Sequence, residues 1–241
     1  MTDSPAPRGH ADEPHAARLS QRLNWLRAGV LGANDGIVST AAVAVGVAGA
    51  TDAVAPVFLA GAAALVGGAI SMALGEYVSV SSQRDTERAL IAKERGELED
   101  DPEAEFEELV GLYEQEGLSH ETARTVATEL TEKNALKAHL SMELNIDQDD
   151  VVSPWHAAVA SAVAFTIGAL LPLLTILLTP SAVRVAWTFV AVLIALAVTG
   201  YVAAWIGGSV RWRAVVRTVI GGALALAATF VVGTLFGTTV G

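Results

Sequence analysis

The chain contains no cysteine, so it can form neither a disulfide nor a thiolate metal site. Any metal that it binds must therefore use oxygen, nitrogen or thioether ligands. The first 20 residues contain three prolines and no apolar run, so we do not expect them to be a secretory signal. The sequence also lacks a nucleophile paired with a base, a phosphate-binding loop and a histidine-rich catalytic motif. An enzyme is the class of function that these absences favour least.

Acidic and apolar residues are segregated along the chain. Of the 241 residues 52% are hydrophobic, yet the formal net charge is −11. Residues 81–150 hold 20 of the 26 Asp and Glu and 7 of the 15 Lys and Arg, a net charge of −13, so the remainder carries +2. This distribution predicts one acidic soluble part and one apolar part.

Five apolar stretches are long enough to cross a bilayer core about 30 Å thick, which takes about 20 helical residues. They cover approximately residues 28–50, 54–79, 155–178, 185–208 and 217–239. The predicted fold is an all-α membrane protein with five transmembrane helices per subunit and a three-helix insert between helices 2 and 3. The predicted parts are a disordered cytoplasmic tail (1–22), transmembrane helices 1 and 2 (23–80), the acidic insert (81–150) and transmembrane helices 3 to 5 (151–241).

The positions of Lys and Arg predict the orientation, because cytoplasmic loops retain these residues. With five spans, the tail, the insert and the loop around Arg211 and Arg213 share one side and hold 14 of the 15 basic residues. Only Arg184 lies on the other side. We expect a cytoplasmic tail and insert with the C-terminus outside. The absence of a targeting extension favours the plasma membrane of a prokaryote, and the vacuolar membrane is the expectation for a eukaryotic protein.

Two acidic residues lie inside predicted spans, Asp35 in the first and Glu76 in the second. An acid that faces lipid costs several kcal/mol, so such residues usually face a cavity or a partner. Neither span contains Lys or Arg, which leaves a cation or a proton to neutralise them. Met72 shares a helix face with Glu76, four residues away. Asp35, Met72 and Glu76 are therefore predicted to line a pathway whose thioether and carboxylates suit Fe²⁺ better than Mg²⁺ or Ca²⁺.

Simpler structural roles are open for the same three residues. Asp35 could cap a helix that breaks beside Gly36, and Glu76 could lie at the membrane interface. Met72 could fill a gap in the packing, as methionine often does. The transport interpretation is favoured for the two acids, since it alone accounts for charge placed in hydrocarbon.

The insert is predicted to contain three amphipathic helices that pack as a small bundle. The first continues from the second span, and the second begins at Pro102, after an acidic cap residue. Ser119 is expected to cap the third, which runs to about Leu144. The apolar stripes of the last two helices are Phe106, Leu109, Val110 and Tyr113, and Ala123, Val126, Ala127 and Leu130.

Carboxylates recur at helical spacing on the polar faces of the insert. A single pair of this kind is ordinarily a solvated face, and a lone histidine on a helix is ordinarily solvated too. Their clustering in a strongly acidic insert favours metal binding, because a divalent ion converts mutual repulsion into attraction. The predicted ligands are Glu94, Glu97, Glu105, Glu108, His139, Met142 and Glu143.

Two motifs stand out in the first two spans, residues 32–36 (GANDG) and residues 70–79 (ISMALGEYVS). These motifs resemble those of the vacuolar iron transporter family, and the resemblance extends from about residue 23 to residue 241. The resemblance implies a homodimer that exchanges Fe²⁺ for protons, with the insert as a cytoplasmic metal-binding domain. It implies pathway roles for Asp35 and Met72 and metal-binding roles for the insert glutamates. Some members of the family carry methionine at the position of His139.

The sequence thus predicts a divalent metal transporter that exports Fe²⁺ from the cytoplasm as a proton antiporter. A Mn²⁺ transporter of the same fold is one alternative, and a non-transporting membrane metal sensor or scaffold is the other. The expected partners are divalent metal ions, protons, the lipid bilayer and a second copy of the chain, without nucleic acid. No prosthetic group is expected, since Fe²⁺ or Mn²⁺ is both substrate and bound metal.

Overall fold

The computed structural model describes residues 16–146 and 153–240, which form seven α-helices and contain no strand. The tail that was expected to be disordered over residues 1–22 instead overlaps the first helix, which begins at residue 16. Residues 1–15 lie outside the described part of the chain. The helices are α1 Ala16–Ala50, α2 Val54–Asp100, α3 Pro102–Gln115, α4 His120–Met142, α5 Pro154–Leu178, α6 Arg184–Ile206 and α7 Arg211–Val240.

The chain divides into two compact units. Unit 1 comprises Met1–Glu76 and Trp155–Gly241, and unit 2 comprises Tyr77–Pro154. Five helices are long and apolar enough to cross a membrane: α1 from Gly29, α2, α5, α6, and α7 as far as Gly237. The prediction of an all-α protein with five apolar spans is therefore confirmed.

Glycines bring the helices of unit 1 into close contact. A Cβ added at Gly233 of α7 would overlap the carbonyl oxygen of Gly46 in α1, and one added at Gly36 would overlap the carbonyl oxygen of Phe165 in α5. Small residues let apolar helices approach until their backbones touch, which is a principal source of packing energy in membranes. The position of α1 against α5 and α7 therefore depends on these missing side chains.

Two polar contacts add to this packing. Thr199 of α6 donates a hydrogen bond from Oγ1 to Oδ1 of Asn34, 2.5 Å away. The Arg184 side chain is buried, and its guanidinium donates to the carbonyl oxygen of Thr51 at 2.8 Å, just beyond the end of α1. A cation at a helix C-terminus is favourable, because the last carbonyl groups carry partial negative charge. The buried arginine thus ties the end of α1 to the start of α6.

We expect Gly233→Ala to lower the stability of unit 1 by about 1–3 kcal/mol, because its methyl group has no space against α1. Gly221→Ala is the matched control on the same helix, since nothing lies within 4 Å of a Cβ there. Thermal unfolding of the detergent-solubilised proteins measures the difference. Equal melting temperatures for the two variants would contradict the close packing of α1 on α7.

Candidate metal centre

The apolar core of unit 2 is built by α3 and α4. Leu109 and Val110 pack with Ala123, Ala127 and Ala138, so the apolar faces expected of these helices meet. Both N-termini are capped as the residue types indicate. The Asp101 side chain accepts a hydrogen bond from the Ala104 amide at 3.1 Å, and the Ser119 hydroxyl accepts one from the Thr122 amide at 3.4 Å.

A break at Asn134 divides α4, which the sequence had predicted as a single helix to about Leu144. Asn134 has extended backbone angles, φ −171° and ψ 95°, inside a helix that ends at Met142. Its side-chain oxygen accepts a hydrogen bond from the Lys137 amide at 2.9 Å, so it acts as the N-cap of the second segment. The detectable signal was an asparagine just before the helix-forming run Ala-Leu-Lys-Ala. This second segment carries His139, whose side chain is buried.

Glu94, Glu105 and His139 converge inside unit 2, each from a different helix. His139 Nδ1 lies 3.0 Å from Glu94 Oε1 and 3.7 Å from Glu105 Oε2. One potential ligand atom from each residue lies within 4.8 Å of the others. Three of the seven predicted ligands thus form a compact group, the metal trio, with the spacing of donors around one ion.

Two atoms of the metal trio are buried without a hydrogen-bond partner. Glu94 is 3% exposed and His139 is 1% exposed. Although Glu94 Oε1 and His139 Nδ1 are close, neither has a partner in hydrogen-bonding geometry. A buried polar atom without a partner is costly, and a buried carboxylate without a counter-charge is costlier still. A divalent cation would satisfy both atoms at once.

The surroundings raise the pKa of both carboxyl groups in the metal trio. Burial is the largest cause that raises the pKa of Glu94 to about 7, followed by repulsion from Glu143 and Glu105, a hydrogen bond with Glu143 and repulsion from Glu97. Burial likewise raises the pKa of Glu105, with further repulsion from Glu108, Glu97 and Glu143. A metal ion would reverse these shifts, because it favours the ionised carboxylates.

The pKa of the His139 imidazole is lowered, in contrast to the raised pKa values of the two carboxyl groups. Burial lowers its pKa, and this effect outweighs the opposing influence of Glu143 and Glu108. The ring is therefore held in its neutral form, which keeps a nitrogen lone pair for a metal. Neutral imidazole beside carboxylates is a donor set typical of first-row transition ions rather than of Mg²⁺ or Ca²⁺.

The other four predicted ligands have different surroundings. Glu108 and Glu143 are exposed and act on the metal trio through their charge, and Glu143 also forms a hydrogen bond with Glu94. Glu97 is engaged by Lys93, whose Nζ lies 2.7 Å from a carboxylate oxygen. Met142 packs against the apolar core of unit 2, so the structure gives its thioether a packing contact.

The predicted pathway residues belong to unit 1. Asp35 is exposed on the surface of α1, whereas Met72 and Glu76 are partly buried on α2. In the described residues, no hydrogen bond or ion pair joins the carboxylate of Asp35 or Glu76 to another group. Asn34, beside Asp35, is held by Thr199, a contact that the sequence analysis missed because it joins distant helices.

Comparison with known proteins gives matches along nearly the whole chain. The profile of the VIT family matches residues 26–234. A vacuolar iron transporter of Acanthamoeba castellanii is 43% identical over 224 residues, covering 92% of this chain and 82% of that protein. Vacuolar iron transporter homolog 1 of Oryza sativa subsp. japonica is 39% identical over 217 residues, 90% of this chain and 75% of that protein. Vacuolar iron transporter homolog 2.1 of Arabidopsis thaliana is 33% identical over 235 residues, which cover 95% of this chain and 91% of that protein.

The raised pKa of Glu94 predicts a pH-dependent stability of metal-free unit 2. An unfolded glutamate loses its proton near 4.5, whereas the folded state retains it to about 7. The contribution of Glu94 to the free energy of unfolding therefore falls as the pH rises through this window. One pKa unit corresponds to about 1.4 kcal/mol. The free energy of unfolding of Glu94→Gln, relative to that of wild type, should therefore rise by up to about 3 kcal/mol between pH 5 and pH 8.

Amide hydrogen exchange of α3 and α4 in chelator-treated protein measures this gain. Comparing the two proteins at each pH cancels the intrinsic exchange rates. Glu129→Gln, an exposed position on α4, is the control and should follow wild type. A constant difference between Glu94→Gln and wild type across the pH range would contradict the prediction.

Proposed function

Because this chain belongs to the VIT family, whose members are transporters rather than enzymes, we propose that it exports divalent metal from the cytoplasm in exchange for protons. Fe²⁺ is the leading substrate, since the similar proteins above are named iron transporters. The proposed location is the plasma membrane of a prokaryote. The tail and unit 2 are assigned to the cytoplasm on the distribution of basic residues.

The metal trio carries the first step of the proposal, capture of the ion. Glu94, Glu105 and His139 offer two carboxylates and a neutral imidazole, with their donor atoms within 4.8 Å of one another. The three-helix insert would then serve as a cytoplasmic metal-binding domain. Glu97, Glu108 and Glu143 would add negative charge, which attracts cations and raises their local concentration.

The second step is passage through the membrane along Asp35, Met72 and Glu76. The exposed carboxylate of Asp35 lies in an apolar span, and the sequence has no Lys or Arg between Arg27 and Arg84. Negative charge without a positive side chain to match it suits a passing cation. A second copy of the chain would enclose Asp35, so we propose a homodimer as the transporting unit.

Proton exchange follows from competition for the same carboxylates. A metal ion binds the ionised form, so it releases the protons that burial holds on the acids. At Glu94, whose pKa is about 7, this competition occurs near neutral pH. Carboxylates along the pathway would then take up protons from the outside as they release metal.

Mn²⁺ is the second candidate substrate, and the same donor set favours it. Imidazole and carboxylate oxygens bind both Fe²⁺ and Mn²⁺, with weaker binding of Mn²⁺ in the usual order of affinities. Flux of Fe²⁺, Mn²⁺, Co²⁺, Zn²⁺ and Ca²⁺ into proteoliposomes separates the two. A protein without flux of any ion would be a membrane metal sensor or scaffold.

In that assay we expect Asp35→Asn to reduce the initial rate of Fe²⁺ transport at least about tenfold, because the amide cannot balance the charge of the ion. Asp52→Asn is the matched control, since its side chain is 94% exposed in the loop after α1 and its one ion pair, with Arg184 at 4.0 Å, lies outside the proposed pathway. Only the Asp35 variant should lose transport. Wild-type rates for both variants would remove Asp35 from the pathway.

We also expect His139→Ala to weaken the binding of Fe²⁺ by at least about 10-fold, because loss of a direct ligand should cost no less than loss of an outer-shell partner, which costs about 10- to 100-fold. Anaerobic calorimetric titration of the full-length protein measures the dissociation constant. Glu129→Gln keeps the fold and removes one charge far along the helix from the metal trio, so its affinity should match wild type. Equal affinities for all three proteins would exclude the metal trio as the capture site.

A further inference from the structure

Three exposed arginines lie in the first two turns of α7: Arg211, Arg213 and Arg217, called the arginine cluster below. The helix starts at Arg211, after a turn in which Gly208 has a positive φ of 66°. From Arg211 the helix continues as a candidate membrane span to Gly237. The arginine cluster therefore lies at one end of an apolar span, where a bilayer presents its headgroups.

In residues 16–146 and 153–240, the arginine cluster has no acidic ion-pair partner. The sequence contains no Asp or Glu after Asp150, and the first turn of α7 has no acidic residue. In the portion of the chain that the structure describes, no carboxylate forms an ion pair with these arginines. Three positive charges within two helical turns repel one another, which favours an anion supplied from outside the chain.

Aromatic rings orient two of the guanidinium groups. Arg211 lies 5.5 Å over the ring of Tyr201, and Arg213 lies 5.6 Å over the ring of Trp212. Arg211 Nη1 also donates a hydrogen bond to the Tyr201 hydroxyl at 3.4 Å. A ring contact occupies the face of a guanidinium group, so the remaining N–H groups at its edge stay available as donors. Such edges bind phosphate oxygens in pairs, with well-defined geometry.

The same rings indicate where the anion comes from. Tyr201, Trp205 and Trp212 are 47%, 60% and 64% exposed. Tyrosine and tryptophan with one apolar side and one polar group are enriched at the level of lipid headgroups. An acidic segment of another protein would match the charge alone, whereas a phospholipid matches both the charge and the apolar rings.

We propose that the arginine cluster binds the phosphate groups of anionic phospholipids and anchors the start of α7 to the headgroup layer. The lipid is a bound partner of unit 1, and its binding does not depend on the identity of the transported ion. Each basic residue near an anionic membrane surface strengthens binding about fivefold, so removal of two should weaken it by roughly tenfold or more.

The test compares full-length wild type with Arg213→Gln/Arg217→Gln in mixed micelles that contain equal amounts of phosphatidylglycerol and phosphatidylcholine. Native mass spectrometry counts the lipids that each protein retains. Arg95→Gln/Lys133→Gln is the matched control, because it removes two exposed positive charges from unit 2. We expect wild type and the control to retain phosphatidylglycerol in preference to phosphatidylcholine, and the cluster variant to lose this preference.

Thermal unfolding in phosphatidylcholine nanodiscs shows whether the cluster variant is folded, and it should melt with wild type there. In phosphatidylglycerol nanodiscs only wild type and the control should gain stability. Inorganic phosphate added to phosphatidylcholine nanodiscs should stabilise neither protein, which separates a lipid headgroup from a free anion. The proposal would be overturned if wild type and the cluster variant retained the same amount of phosphatidylglycerol. It would also be overturned if the control lost as much phosphatidylglycerol as the cluster variant.

Discussion

Acidic groups without a matching positive side chain are the constraint on which both units depend. In unit 2 the carboxylates of Glu94 and Glu105 approach a neutral imidazole in a buried position, where Glu94 Oε1 and His139 Nδ1 lack partners. In unit 1 the carboxylate of Asp35 lies in an apolar span without a matching cation. Ordinary folding would avoid both arrangements, because each costs free energy that packing must offset. For a chain of the VIT family, the binding of a mobile cation is the purpose that we propose for this cost.

Much of the fold could be predicted because its main signals are local. The five spans follow from unbroken apolar stretches, and the caps at Asp101 and Ser119 follow from residue type and spacing. The start of α1 and the break at Asn134 could not be predicted in the same way. Helix ends have weak signals, and one asparagine inside a helical run is compatible with an intact helix.

The candidate site was predictable as a set of residues but not as a geometry. Helical spacing placed the carboxylates on shared faces, which made all seven residues candidates. Which three of them converge depends on how α2, α3 and α4 pack. Contacts between helices do not produce a periodic pattern in the sequence, so they could not be predicted from it. Burial then separates Glu94 and His139, which are enclosed, from Glu143, which remains in solvent. The exposure of Asp35 could not be predicted for the same reason, because the apolar pattern of a span does not show which neighbours surround each residue.

The break at Asn134 has a consequence for how sequences of this kind can change. Asn134 is the N-cap of a second helical segment. His139 lies five residues after it, so its position around the helix axis is set within that segment. In an unbroken helix, one inserted residue would turn the histidine by about 100° and aim it away from the two carboxylates. Here the extended backbone at Asn134 interrupts that continuation, so the direction of the imidazole depends on the packing of the second segment, in which Ala138 and Leu140 are buried.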